Sequence, residues 1–279
     1  MEELTVKTPA KINFGLNVIR KRDDGYHDIE TVFYPINLSD ITVFRKTNKF
    51  SFSSSDKNLE NQDNLIIKAK ELLERKTGQN FNVQIELEKN IPIGAGMGGG
   101  SSDAAATLKA LNQLYELNLS HDKLSELATA VGSDVPFFLN PQPSYATSRG
   151  EILSRLDFKV TLPILIVNPG IHISTKWAYD RVKPRLPEFN LKDILIKNSL
   201  DYSQLKNLIV NDFETPVFLE YQELSNIKEK MYNMGAQFSL MTGTGSTFFG
   251  IYPDTESAKK SESFFNEKYF TFIHLDELP

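Results

Sequence analysis

The chain has 279 residues, with 31 Lys and Arg against 36 Asp and Glu for a formal net charge of −5, 40% hydrophobic residues and no cysteine. That length suits about two domains of roughly 150 residues, and the ordinary apolar fraction excludes wholesale disorder. The acidic balance argues against a nucleic-acid partner, and the lack of cysteine excludes a disulfide scaffold, thiolate metal centres and a cysteine nucleophile. No window approaches the ~18 apolar residues of a membrane span. The opening MEELTVKTPAK has no apolar core of the signal-peptide kind, so the expectation is a soluble, cytoplasmic protein without a membrane partner.

Residues 11–18 alternate. Ile12, Phe14, Leu16 and Val18 fall on one face and Lys11, Asn13, Gly15 and Asn17 on the other, which predicts a half-buried strand with one polar face. RKRDDG at 20–25 reads as a turn, 29–36 and 41–44 as strands, the polar stretch 50–64 as an exposed loop and 64–76 as a helix. Residues 83–88 alternate again. Five of the 15 glycines then fall within 94–100, and a helix follows that Ser101 or Ser102 would cap. A second helix runs from the cap Ser120 to Val131 and stops at Gly132. The turn-rich segment 142–150 marks a boundary between an N-terminal domain, 1–150, and a C-terminal one, 151–279. Beyond it come a strand at 162–167, a helix at 218–234 closed by Gly235, and a strand at 238–241 running into a second glycine loop, 242–246. A helix at 255–265 and a strand at 270–275 finish the chain. Strands and helices interspersed in this way predict an α+β fold with largely antiparallel sheets.

The first glycine loop fits three short patterns. Gly94, Gly96 and Gly99 satisfy G-x-G-x-x-G, but the preceding strand alternates and the helix leads straight into another helix, unlike a dinucleotide fold. The P-loop spacing fits until Gly100, which stands where the phosphate-binding lysine belongs. The partner motifs of protein kinases are absent. What the three patterns share is physical: glycines let backbone N–H groups converge on an anion, and a helix N-terminus adds partial positive charge. Residues 94–102 therefore read as a phosphate cradle on another scaffold, the alternative being a mobile surface loop.

PAKINFGLNV, IPIGAGMGGGSSDAA and MTGTGSTFFG, in that order, resemble the three motifs of the GHMP small-molecule kinases, which include galactokinase and the homoserine, mevalonate and phosphomevalonate kinases. DDGYHDIETVF, VGSDVPFFL and NPGIHIST are similar to blocks of the branch that phosphorylates cytidine-diphosphate-linked methylerythritol in the non-mevalonate isoprenoid pathway. The resemblance spans about residues 8–250. It implies a two-domain GHMP kinase fold, with an ATP-binding domain of the ribosomal-protein-S5-domain-2-like type and a ferredoxin-like C-terminal domain. It also implies transfer of the ATP γ-phosphoryl group, with Mg²⁺, to the acceptor's 2-hydroxyl. Another GHMP acceptor, or an inactive nucleotide-binding module, stays open as an alternative, as does monomer or homodimer.

The resemblance also assigns roles. Asp134 would receive the hydroxyl proton, the alternative being a helix cap or turn residue. Lys11 would hold that carboxylate ionised, against the plainer reading of a solvated edge-strand lysine. Pro92, Ile93, Gly94, Ala95, Gly96, Met97, Gly98, Gly99, Gly100, Ser101 and Ser102 would bind ATP, with Ser102 the hydroxyl offered to metal or phosphate. Asn13, Tyr26, His27, Thr175, Tyr179, Gly243, Thr244 and Gly245 would bind the acceptor. Asp103 departs from the amide expected there and would repel phosphate unless it points away or meets Mg²⁺. His121, His172 and His274 fit no catalytic pattern and read as surface or structural.

Overall fold

The computed structural model describes residues 2–196 and 201–276. In chain order the elements are β1 (Glu3–Lys21), β2 (His27–Lys46), β3 (Ser51–Ser54), α1 (Leu65–Thr77), β4 (Val83–Glu88), α2 (Gly99–Leu114), α3 (His121–Val131), α4 (Val135–Leu139), β5 (Ser144–Thr147) and β6 (Ile152–Arg155). There follow β7 (Ile164–Asn168), α5 (Thr175–Tyr179), α6 (Leu191–Ile196), α7 (Tyr202–Leu205), α8 (Glu214–Glu220), α9 (Gln222–Asn233), β8 (Phe238–Met241), β9 (Phe248–Ile251), α10 (Thr255–Phe265) and β10 (Phe270–His274).

Two compact units emerge. One comprises Met1–Ala10, Leu38–Ile93 and Gly98–Pro141; the other comprises Lys11–Asn37, Gly94–Met97 and Gln142–Pro279. The long strands β1 and β2 therefore give residues to both, and the first glycine loop divides after Met97.

In the first unit β4 pairs antiparallel with the 41–46 part of β2 and parallel with β3. Helices α1 to α4 pack on one another. Helix α2 buries Ala104, Ala105, Leu108 and Leu111, small residues alternating with large ones so that neighbouring helices approach closely. Asn64 caps α1, its side chain accepting from the Ile66 N–H, and Ser120 caps α3 through the Lys123 N–H.

In the second unit β5 pairs antiparallel with 31–33 of β2 and with β6. A separate antiparallel sheet runs β10-β7-β9-β8. Its strand β7, ILIVN, is buried at every residue and reads as a continuous apolar run. Phe14, wholly buried, meets Phe158 edge-on at 5.1 Å between ring centroids, stacks on Phe238 at 5.6 Å and touches Phe249 at 5.2 Å. Truncating such a ring leaves a cavity among groups too rigid to fill it. Phe14→Ala is expected to cost about 3–5 kcal/mol, read as a fall in the midpoint of thermal or urea unfolding.

Several expectations change. Strand β1 is longer than 11–18, and both of its faces are buried across the middle, so its polar row lies inside the protein. The two strands expected at 29–36 and 41–44 are one. Asp40, in the gap between them, accepts from the N–H groups of Asn90 and Ile91 through its carboxylate, and its own backbone stays extended. Part of the expected loop 50–64 is the edge strand β3. Within the turn-rich 142–150, Ser144–Thr147 forms β5, and the turn is confined to the residues after it, where Ser148 takes φ 61°. The helix expected at 218–234 is two helices, because Tyr221 leaves helical geometry at φ −120°, ψ 74°. Neither Ser101 nor Ser102 caps α2. Gly98, left-handed at φ 71°, turns the loop into the helix, and the Ser102 N–H already donates to the Gly98 carbonyl.

Candidate functional site

Strand periodicity places Lys11 and Asn13 on one face of β1, and the fold buries that face: Lys11 is 3% exposed and Asn13 2%. This removes the solvated-lysine alternative. The Lys11 ammonium donates to Asn13 Oδ1 at 2.6 Å and to the Gly96 carbonyl at 3.0 Å, and lies 5.0 Å from the centre of the Phe33 ring. The backbone repeats the attachment, Lys11 N–H donating to the Met97 carbonyl at 3.0 Å. Asn13 is held from two further sides. Its amide Nδ2 donates to Thr31 Oγ1, and its backbone N–H donates to Thr242 Oγ1.

Thr242 begins the second glycine loop, which joins β8 to β9, and that loop packs on the first. A Cβ placed on Gly96, whose φ is +76°, would lie 2.4 Å from the Thr242 carbonyl oxygen and 3.2 Å from that of Gly245. Gly243 in turn backs directly onto the Gly96 backbone. Asn211, buried, fixes the second loop from beneath, its Nδ2 donating to the carbonyls of Met241 at 2.7 Å and Gly243 at 2.8 Å. Lys11, Asn13, Ala95, Gly96, Met97, Gly243 and Gly245 thus share one neighbourhood. Asn211 and Thr242 belong there too, although an Asn within NDFE carries no sequence signal. His172 is also drawn in: a Cβ on Gly94 would sit 2.9 Å from its Nδ1.

The aromatic residues divide. His27 stacks on Tyr179 at 4.9 Å and 29° between planes, and Tyr179 meets Phe213 edge-on at 4.8 Å. Partial burial and the nearby Lys21 charge hold the His27 imidazole below its usual range. Tyr26, 53% exposed, turns elsewhere and lies under the Arg149 guanidinium at 4.7 Å. Thr175 is exposed in the first turn of α5, after its cap Ser174.

In the first unit, Asp134 immediately precedes α4 and its carboxylate makes no capping hydrogen bond to that helix. Pro136 sits in the first turn, where its missing N–H costs nothing, and Val135, Phe137, Phe138 and Leu139 anchor the segment by burial. Asp103 points away from the loop into the protein. It accepts from Thr8 Oγ1 at 2.7 Å and from Lys89 Nζ at 3.2 Å. Burial pushes its carboxyl up to about 6, against the lowering pull of Lys89. Among the described residues no group of three or more His, Asp or Glu is placed to hold a metal ion, and none of the helices is long and apolar enough to cross a membrane.

The family described as GHMP kinases N terminal domain matches residues 64–141, and GHMP kinases C terminal matches 194–270. A 4-diphosphocytidyl-2-C-methyl-D-erythritol kinase of Chlorobium phaeobacteroides is 41% identical over 277 residues, covering 96% of each chain. Its counterpart in Bacteroides fragilis is 41% identical over 260 residues, covering 91% of this chain and 93% of its own. Among solved structures, a 4-(cytidine 5'-diphospho)-2C-methyl-D-erythritol kinase superposes with a TM-score of 0.82 at 32% identity, over 97% of this chain and 98% of the other. Homoserine kinase from Cytophaga hutchinsonii superposes at 0.70 with 16% identity, over 98% and 94%, a likeness of fold alone.

Proposed function

The chain belongs to the GHMP kinases, and from that membership we infer that it transfers the γ-phosphoryl group of ATP to the 2-hydroxyl of 4-diphosphocytidyl-2-C-methyl-D-erythritol. The observation that carries this reading is the near-complete, 41% identical match to kinases of that name.

The proposed chemistry uses this chain's residues as follows. Backbone amides of 94–102 grip the triphosphate, the first turn of α2 adding the positive end of its dipole. Asp134 receives the acceptor proton. Lys11, held by Asn13 and the Gly96 carbonyl, offsets charge developing on the acceptor oxygen. The second loop, 243–245, completes the phosphate and acceptor contacts. Phosphoryl transfer passes through a loose transition state, so positioning and charge supply most of the rate. Among the described residues no acidic cluster stands ready for a cation, and Asp103 is turned inward; the Ser102 hydroxyl is the protein group proposed to hold Mg²⁺, which would offset charge on the transferring phosphates.

For the acceptor, His27, Thr175 and Tyr179 are proposed to hold the cytidine, without Tyr26, which is taken up by Arg149. A neutral His27 both donates and accepts, as the edge of a cytosine requires. His27→Ala is expected to raise KM for the cytidine acceptor about tenfold, with kcat and the KM for ATP near parental values, the pattern of lost ground-state binding. The reading as a whole is tested by ADP release with the cytidine acceptor, homoserine and mevalonate in parallel. Turnover of homoserine or mevalonate with none of the cytidine compound overturns it.

A further inference from the structure

Beneath the first turn of α2 four buried polar side chains meet, and none of the proposed chemistry uses them. Asp40 on β2 accepts from the backbone N–H groups of Asn90 at 2.6 Å and Ile91 at 2.7 Å through Oδ1, and pairs with Lys89 Nζ through Oδ2. The same ammonium donates to Asp103 Oδ2, and the other Asp103 oxygen accepts from Thr8 Oγ1 on β1. The side chains of Asp40, Asp103 and Lys89 are 0%, 3% and 8% exposed. The knot therefore ties β1, β2, the chain leaving β4, and α2 at a single point.

It also touches the cradle. A Cβ on Gly99 would lie 2.9 Å from Lys89 Nζ and 3.2 Å from Ile91 Cγ2. Gly99 is the first residue of α2, so the ammonium lies directly against the helix start, where the absence of a side chain lets it come close.

Two kinds of role are conceivable, and charge decides between them. A lysine under a phosphate loop invites comparison with a phosphate-binding cation. Two carboxylates against one ammonium leave the knot at a net charge of −1, or zero when Asp103 carries a proton. Such a cluster draws no triphosphate toward it, so its effect must be mechanical. Burial makes that effect strong, because a buried ionic group stripped of one partner is left unpaired in a poor solvent.

We propose that Lys89, locked by Asp40 and Asp103, is a positioning residue for nucleotide binding: it fixes the height and direction of Gly98–Ser102, so that the amides of α2's first turn are already aimed when ATP arrives. This rests on the kinase reading above. It explains why the position expected to be an amide holds Asp103, since a carboxylate accepts from the Thr8 hydroxyl and the Lys89 ammonium at once.

The test is ADP binding by calorimetry, together with steady-state kinetics, on the full chain. Asp103→Ala and Lys89→Met are expected to raise the Kd for ADP and the KM for ATP about tenfold each, leaving the KM for the acceptor within about twofold. Asp103→Asn, which keeps an oxygen for one donor, is expected to recover most of the loss. If Lys89→Met does not fold, Asp103→Ala and the shape-conserving Thr8→Val carry the same expectation. Variants that unfold at lower temperature yet bind ADP and use ATP as the parent does overturn the proposal and leave the knot a purely structural device. A folded parent that binds no ADP overturns the kinase reading, and this inference with it.

Discussion

Asp134→Asn is expected to lower kcat by about 10²–10⁴-fold, the range in which a positioned proton acceptor contributes, while the affinity for ATP changes little. The substitution keeps shape and removes only the capacity to take a proton. The carboxylate does not cap α4, and the segment is anchored by the burial of Val135, Phe137, Phe138 and Leu139 and by the hydrogen bond from the Val135 N–H to the Gly132 carbonyl. Unfolding midpoints measured alongside separate a loss of the chemical step from a loss of folded protein. The size of the loss is itself informative. A fall near the lower end means that the proton leaves late and Asp134 acts mostly by orienting the hydroxyl. A fall near the upper end means that proton transfer is well advanced in the transition state. Single-turnover kinetics separate the chemical step from product release, and a near-parental rate for that step removes Asp134 from the mechanism.

The identity of the chain was legible in its motif blocks, and the site only in part. Alternation in β1 placed Lys11 and Asn13 on one face, because the two-residue period is a local property. It did not show that this face is buried, since burial depends on groups distant in sequence, such as Thr242, 229 residues from Asn13. The same blindness hid the knot under α2. Asp40 and Lys89 are 49 residues apart, and each alone looks like a turn acid and a surface lysine. Asp40 and Tyr221 show the two opposite failures of local reading. A turn-forming residue stays in a strand when its side chain is claimed by another segment, and a helix-compatible stretch breaks when one residue takes an extended φ. The glycines were read as freedom to approach an anion. The structure adds that Gly96 and Gly99 are also small because other protein atoms occupy the space a side chain would need.

Gly96→Ala tests that second use of glycine most sharply. Two penalties fall on the alanine. The left-handed φ of +76° is disfavoured for any residue with a Cβ, at about 1–2 kcal/mol. The Cβ would also stand 2.4 Å from a backbone oxygen of Thr242, and backbone cannot swing aside as a flexible side chain can. The first loop must then retreat from the second, taking with it the Gly96 carbonyl that receives the Lys11 ammonium. A shift of about 1 Å at such a site costs on the order of 10²-fold in rate, and that is the expected loss in kcat/KM. Gly78→Ala supplies the control. Gly78 has a similar φ of +70° at the end of α1, and its Cβ would meet nothing within 4 Å. It should show the backbone strain as a modest loss of stability and keep parental activity. If the two variants prove equally active, contact between the glycine loops does not position Lys11, and the role proposed for Gly96 falls.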